Sequence, residues 1–401
     1  MIVRALLPFA CGYFMSYWLR AVNAVIAPDL VSEFHIGAAG LGFLTSAYLL
    51  AFSLFQLPLG LLLDRYGARR VQAVLLLVAA LGCLIFASAR EAAELVAGRA
   101  IIGLGFSAGL MASYKSSSVW VPSQRRSLVN AAIMSMGALG IVVATEPTAL
   151  LVQAVGWRSV FVLLASVIAA VAILIFAVVP EKPSLAPVVS FARQAQELWA
   201  ILRLPLFWRI SPLLGLSAGV SIAYQTLWAG PWFRDVLGLE RLAVARCLLW
   251  MAVAFMLGIL AIGLIADFLQ RRGVGPMQTM SGILVLHLAA QGMLLFGDTS
   301  LAIGAWLVLA AVGQVAILSF PWFAARVGEG LSGRANAAIN FAMFVVAFAA
   351  QYVVGVVIAC FPETERGYAA DGYTWAFGLF LFLQILAFLW YLTGMRRYGD
   401  S

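Results

Sequence analysis

Stretches of about twenty apolar residues, separated by short polar breaks, recur from one end of this chain to the other. Twelve can be placed, near 4–28, 40–62, 72–89, 95–117, 128–153, 158–180, 206–231, 243–266, 275–297, 301–324, 335–360 and 374–395. Each is long enough to cross a bilayer core of roughly 30 Å. The strict alternation of a lipid-facing barrel strand is absent, so the pattern predicts an all-α membrane protein of twelve transmembrane helices. Composition agrees: 64% of the 401 residues are hydrophobic and 10% charged, where soluble chains carry about a quarter charged. The opening MIVRALLPFACGYF has the basic start and apolar run of a signal peptide. Because that run continues through Arg20 to Pro28, it is read as the first span.

The net charge of +8 is a topology signal. With the N-terminus inside, the cytoplasmic side receives Arg4, Arg65, Arg69, Arg70, Arg125, Arg126, Lys182, Arg193, Arg203, Arg209, Arg271, Arg272, Arg326, Arg334, Arg396 and Arg397. The outer side keeps Arg90, Arg158, Arg234, Arg241, Arg246 and Arg366. Sixteen against six places both termini in the cytoplasm of a cytoplasmic (inner) membrane, most simply a bacterial one. Nothing suggests nucleic acid. The four cysteines stand singly, no metal or cofactor spacing is present, and no phosphate-binding glycine loop would power an ATP-driven pump.

The chain also repeats itself. GLLLDRYGARR (60–70) closes the second span and GLIADFLQRRG (263–273) the eighth, so Gly60 and Asp64 are answered by Gly263 and Asp267; NAAI opens both span five and span eleven. The expected organisation is a six-helix bundle over 1–180, a cytoplasmic linker over 181–205 with a surface helix from Phe191 to Leu204, and a second bundle over 206–401. Parallel repeats with a site between them are a transporter architecture.

GLLLDRYGARR resembles the loop signature of the major facilitator superfamily, and LVAGRAIIGLG (95–105), with Arg99, Gly103 and Gly105, is similar to its fourth-helix motif. The resemblance runs along essentially the whole chain and implies the major facilitator fold. Gly60, Asp64, Arg65 and Gly67, with Asp267 and Arg99, are the candidate gating residues. A carboxylate near a helix N-terminus is stabilised by roughly 0.3–1 kcal/mol. Asp64 is therefore expected to latch onto the start of span eleven, and Asp267 onto the start of span five near Ser127. The alternative for both is that they fix topology; for Arg99, a structural or proton-relay role stays open.

Arg20 lies about 21 Å of helix beyond Leu6 and about 12 Å before Pro28, too deep to escape readily to water. Tyr13, Ser16, Tyr17, Arg20 and Asn23 share one helix face; Met15, Trp18, Leu19, Val22 and Ile26 fill the other. Span seven carries Ser217, Ser221, Tyr224, Gln225 and Trp228 in register. Gln314, Asn340 and Gln351 on spans ten and eleven, and Lys115 on span four, complete a candidate polar cavity. Two cations among neutral hydrogen-bonding groups suit a small anion, to which arginine offers a bidentate fork. The predicted substrate contacts are Arg20, Tyr13, Tyr17, Lys115, Tyr224, Gln225, Trp228, Gln314 and Asn340. The alternatives are a structural arginine bound to carbonyls or to a buried acid, and a Lys115 that snorkels. His287 on span nine is read as a satisfied interior histidine.

Tyr17, Arg20, Pro28 and SYKSSSVWVPSQRR (113–126) resemble the anion:cation symporter and organophosphate antiporter branches of the superfamily, whose first-helix arginine binds the substrate's anionic group. Two departures matter. Leu19 stands where the symporters carry an acid before the arginine, and span seven lacks the second arginine of the phosphate antiporters. A monocarboxylate or similar anion fits better than a phosphate ester. Glu146 is the only acid placed well inside a span. It is read as a proton-coupling site, with a latch to Arg246 or a neutral structural acid as alternatives. Glu146, Leu150 and Leu151 depart from the glycine-rich stretch of drug exporters on this helix. The expected function is proton-coupled uptake of a small organic anion by a monomeric, non-enzymatic secondary transporter. Export of a metabolite or amphipathic compound, or a transporter-like membrane sensor, are the other readings.

Overall fold

The computed structural model describes residues 2–180, 191–297, 299–328, 331–365 and 367–395. Lys182, Arg366, Arg396 and Arg397 of the charge count, the first part of the linker, and the side chains of Ser127 and Arg193 lie outside the described residues. The chain forms two compact units, one of Met1–Ile36 and Phe43–Arg193, the other of Gly37–Gly42 and Gln194–Ser401.

The first unit is built from α1 (Ile2–Ala21), α2 (Asn23–Phe34), α3 (Ala38–Ser88) from Phe43 onward, α4 (Ala92–Phe106), α5 (Gly109–Trp120), α6 (Ser123–Val143), α7 (Glu146–Val155) and α8 (Trp157–Val178). Apolar runs in lipid must satisfy every backbone polar group internally, and the helix does so within one segment. The first expected span is α1 with α2. The expected loop between spans two and three is compressed into a kink at Gly67 (φ 79°, ψ 159°), so that both spans read as one interrupted helix. Span five is bent by 47° between Leu128–Val143 and Glu146–Val155. α1 packs along α6 and also meets α5, α8 and α4. A Cβ on Gly140 of α6 would come within 2.3 Å of the Phe14 carbonyl oxygen, so the two backbones meet only because no side chain stands there.

The second unit contains α9 (Phe191–Leu202), α10 (Pro205–Ala223), a π-helical turn (Tyr224–Trp228), α11 (Ala229–Asp235), α12 (Arg241–Gln270), α13 (Pro276–Phe296), α14 (Ala302–Val312), α15 (Ser319–Val327), α16 (Ser332–Ala359) and α17 (Ala370–Met395). A two-stranded hairpin, β1 (Glu363–Thr364) and β2 (Gly367–Tyr368), joins α16 to α17. α10 packs along α16, as α1 does along α6, so each unit pairs its first span with its fifth. The linker helix α9 buries Ile201 in the core of this unit with Phe207, Ile210 and Phe323.

Helix therefore occupies all twelve expected positions. Among the described residues, ten helices are long and apolar enough to cross a membrane, and the bent pair α6–α7 makes an eleventh.

Candidate functional site

The polar face of α1 is ordered by the helices beside it. Tyr13 donates its hydroxyl to Tyr17 (3.2 Å), the rings meeting edge to face at 5.0 Å. Ser16 and Tyr48 lie 3.4 Å apart through their hydroxyls, and Asn23 donates to Thr45 (3.0 Å). Arg20 is buried, its Cζ 4.6 Å from the Tyr17 ring centroid, 5.1 Å from that of Phe52 and 5.9 Å from that of Tyr48. A cation over aromatic faces gains roughly 0.5–2 kcal/mol, which offsets part of the cost of holding it away from water. The opposite face, as its apolar character required, packs inward: Trp18 donates its indole N–H to Thr148 (2.9 Å).

Arg99 on α4 completes this frame. It is wholly buried, donates to the Leu19 carbonyl (2.8 Å) and lies 5.2 Å from the Tyr48 ring centroid. One tyrosine thus stands beside both guanidiniums, and one of them holds the backbone next to the other. The buried polar and charged residues of this unit include these two arginines and no carboxylate, among the described residues. Tyr48 and Phe52 went unselected in the sequence. Their signal was the face Thr45–Tyr48–Phe52 on span two, spaced by three and four.

Lys115 does not join Arg20. Its ammonium reaches the Leu63 carbonyl (2.7 Å) and the Asp64 carboxylate (2.6 Å), because the long stem extends from α5 to the motif on α3. Asp64 thereby has a partner inside its own unit. Asp267 is exposed and pairs with Arg271 one turn later at 2.8 Å. Arg65 lies over Tyr66, its Cζ 5.3 Å from the ring centroid, and Gly60 is exposed.

In the second unit the expected stripe divides. Ser217 and Ser221 return their hydroxyls to helix carbonyls at Leu213 and Ser217, each at 2.8 Å. Trp228 is wholly buried and donates to the Gln351 carbonyl (3.0 Å). Tyr224 is likewise buried, 4.2 Å from Phe377 and 6.0 Å from Trp306 between ring centroids. The π turn places both large rings in the unit's interior. Gln225, Gln314 and Asn340 stay half-buried, and Gln225 lies against Gly313.

Two acids exchange character. Glu146, expected well inside a span, opens α7 just after the bend and is half-buried. Asp235, unselected in the sequence, has no exposed side-chain surface and is bound by Arg234 (2.5 Å), the Tyr373 hydroxyl (2.7 Å) and the Tyr368 backbone N–H (3.2 Å). Its only sequence signal was an Arg-Asp pair at the end of span seven. His287 is buried as expected but not satisfied: neither ring nitrogen has a hydrogen-bond partner among the described residues, although it lies one turn from a reciprocal amide pair between Gln291 and Gln384 (3.0 Å each way). No group of three or more His, Cys, Asp or Glu that could hold a metal occurs among the described residues.

The family model of the Major Facilitator Superfamily matches residues 9–351. The chain belongs to the Major Facilitator Superfamily. The resemblance carried by the loop motif and the fourth-helix motif is borne out. Among solved structures of the superfamily fold, a bacterial homologue of the human lysosomal transporter Spinster, inward-facing and unoccupied, superposes with a TM-score of 0.79 at 15% identity, over 98% of this chain and 97% of that one. Among curated relatives, an uncharacterized transporter YybO of Bacillus subtilis is 31% identical over 147 residues, 37% of this chain and 34% of the relative. A probable sulfoacetate transporter SauU of Cupriavidus necator is 26% identical over 155 residues, 39% of this chain and 36% of the relative. The chain spans about a third of the length of these relatives in the matched regions.

Proposed function

We propose that this superfamily member is a secondary active transporter that takes up a small organic anion together with protons by alternating access. The reading is carried by one observation: a permanently charged guanidinium, Arg20, is held in the interior among Tyr17, Tyr48 and Phe52. An intramembrane cation is expensive and marks a functional site by default. Tyr13 and Tyr17 supply hydroxyls on the same face; Gln225, Gln314 and Asn340, half-buried in their own unit, are proposed as further neutral substrate contacts. The sulfoacetate named for one relative is an anion, in keeping with this choice. Glu146 is the proposed proton carrier. Asp64, in the motif Gly60–Asp64–Arg65–Gly67, acts with Asp267 as gating residue, and Arg99 positions Arg20 through the α1 backbone. The protein sits as a monomer in the cytoplasmic membrane, both termini in the cytoplasm, and performs no covalent chemistry.

Arg20 supplies the test. Arg20→Lys keeps the charge and loses the fork; Arg20→Ala loses both. A charge-assisted hydrogen bond is worth roughly 1.5–3 kcal/mol, so alanine should weaken binding of the anion about ten- to a hundredfold, with lysine between. Affinity by titration calorimetry and melting temperature are measured on the same three preparations. Normal affinity with lowered melting temperature in Arg20→Ala would make this a structural arginine and end the proposal.

A further inference from the structure

At one end of the second unit, aromatic rings and guanidiniums form a patch that transport does not use. The linker helix α9 turns Leu198, Ile201 and Leu202 toward the core, and leaves Trp199 57% exposed on its other side. Trp208, in the first turn of α10, is 57% exposed, and Trp390 on α17 is 52% exposed. Their positions are fixed: Trp208 donates its indole N–H to the Leu202 carbonyl at the end of α9 (2.7 Å), and Trp390 donates to the Trp208 carbonyl (3.1 Å). With both N–H groups bound to backbone, the rings present their faces and edges outward.

Arg209 is wedged into this frame. Its Cζ lies 4.2 Å from the Trp390 ring centroid, and one terminal nitrogen donates to Thr393 Oγ1 (3.2 Å). A Cβ on Gly394 would fall 1.4 Å from Arg209 Nε, so the guanidinium fills the place a side chain would take on α17. Arg203 is exposed over Trp199, its Cζ 5.3 Å from that centroid. Neither arginine has a carboxylate partner among the described residues; the neighbouring acid, Glu197, is bound to Arg334. Among the described residues, one of the two terminal nitrogens of Arg209 has a hydrogen-bond acceptor, out of a guanidinium that carries five N–H donors.

Rings exposed at the end of membrane-spanning helices sit at headgroup depth, where indole is favoured. A guanidinium there offers paired N–H donors that match the two unesterified oxygens of a phosphodiester. We infer that Arg209, framed by Trp208 and Trp390, binds the phosphate of an anionic phospholipid, with Arg203 as a second cation favouring a headgroup that carries no positive charge. Surface attraction alone would treat every exposed arginine of this end alike. The fixed frame around Arg209 predicts that they differ, and Arg272, exposed over Phe268 with no tryptophan frame, is the internal control.

The full-length protein is reconstituted into phosphatidylcholine nanodiscs with increasing phosphatidylglycerol, and melting temperature and lipid retention by native mass spectrometry are followed. The wild type should gain stability saturably and retain phosphatidylglycerol. Arg209→Gln should raise the midpoint of that titration about tenfold, the loss of one charge-assisted contact, with Arg209→Lys intermediate. Arg203→Gln, which loses only the contact with Trp199 among the described residues, should raise it by a smaller factor, and Arg272→Gln should leave it unchanged. The midpoint is read against each variant's own melting temperature in pure phosphatidylcholine, so a less stable variant still reports. A wild-type midpoint in Arg209→Gln, or an equal shift in Arg272→Gln, overturns the site. Stabilisation by inorganic phosphate without phosphatidylglycerol would overturn the lipid assignment.

Discussion

At the far end of its first span each unit carries an acid, Glu33 on α2 and Asp235 on α11, and each acid is bound to the start of that unit's sixth span. Glu33 takes the Trp157 indole N–H (2.9 Å) and the Arg158 guanidinium, which also donates to the Ala89 carbonyl (2.8 Å) and lies 4.3 Å from the Trp157 ring centroid. Asp235 takes Arg234, Tyr373 and the backbone of Tyr368. Both clasps combine an acid, an arginine and an aromatic donor, and both have a glycine of positive φ close before the sixth span, Gly156 and Gly367. They differ in water. The Glu33 side chain is 41% exposed and that of Asp235 not at all. An exposed pair is screened and contributes about 0–1 kcal/mol. A buried carboxylate survives only because its oxygens are filled, and its loss strands the arginine. The repeat thus preserves where the unit is fastened while leaving open how strongly.

Asp235→Ala should have the largest effect, about 3–5 kcal/mol of stability. Asp235→Asn, which keeps shape but not charge, should lose less. Thermal unfolding in one detergent ranks them; equal, small losses would mean that the buried clasp contributes no more than the exposed one. The glycines sharpen the contrast. Gly367→Ala meets both a disfavoured φ of 129° and Asp235 Oδ1 at 2.3 Å, and should cost about 1–3 kcal/mol. Gly156→Ala, at φ 79° with open space around it, should cost only the backbone strain and so less. Glu33→Gln should cost under about 1 kcal/mol, and high salt should shrink the difference from wild type further.

The smallest effect concerns Tyr368, which lies outside the spans. Burial pushes its phenol up to about 12 from 10.0, with Arg234 pulling the other way and Asp235 and Glu363 adding to the rise. The folded protein then holds this proton where the unfolded chain has lost it. The stabilisation is full below pH 10 and fades as pH rises toward 12. Tyr368→Phe should change stability little at neutral pH, because the buried hydroxyl has no hydrogen-bond partner among the described residues, and should remove its share of the alkaline loss. Identical alkaline curves for Tyr368→Phe and wild type would show that this phenol does not govern the loss.

The spans were legible because apolar runs of membrane length have few alternatives to helix, and the face of α1 was legible because Tyr13, Tyr17 and Arg20 are neighbours at three- and four-residue spacing. Tyr48 and Phe52 were not, since an aromatic on an apolar helix looks the same whether it meets lipid, core or a guanidinium. The ion pair of Lys115 and the burial of Trp228 were hidden for a related reason. Spacing says which side of a helix a residue occupies; it does not say how far a lysine stem reaches or how deep a π turn sets a ring.

Local chain chemistry thus determined the number and position of the helices, the twofold repeat and the family signature, because each depends on neighbouring residues and on the bilayer's thickness. Only the tertiary structure decided which charges are paired and which rings are buried: Asp64 with Lys115, Asp235 with Tyr373, Arg99 on the carbonyl next to Arg20. Those contacts join residues 51, 138 and 80 positions apart, and a carboxylate or guanidinium takes its character from the partners that packing brings to it.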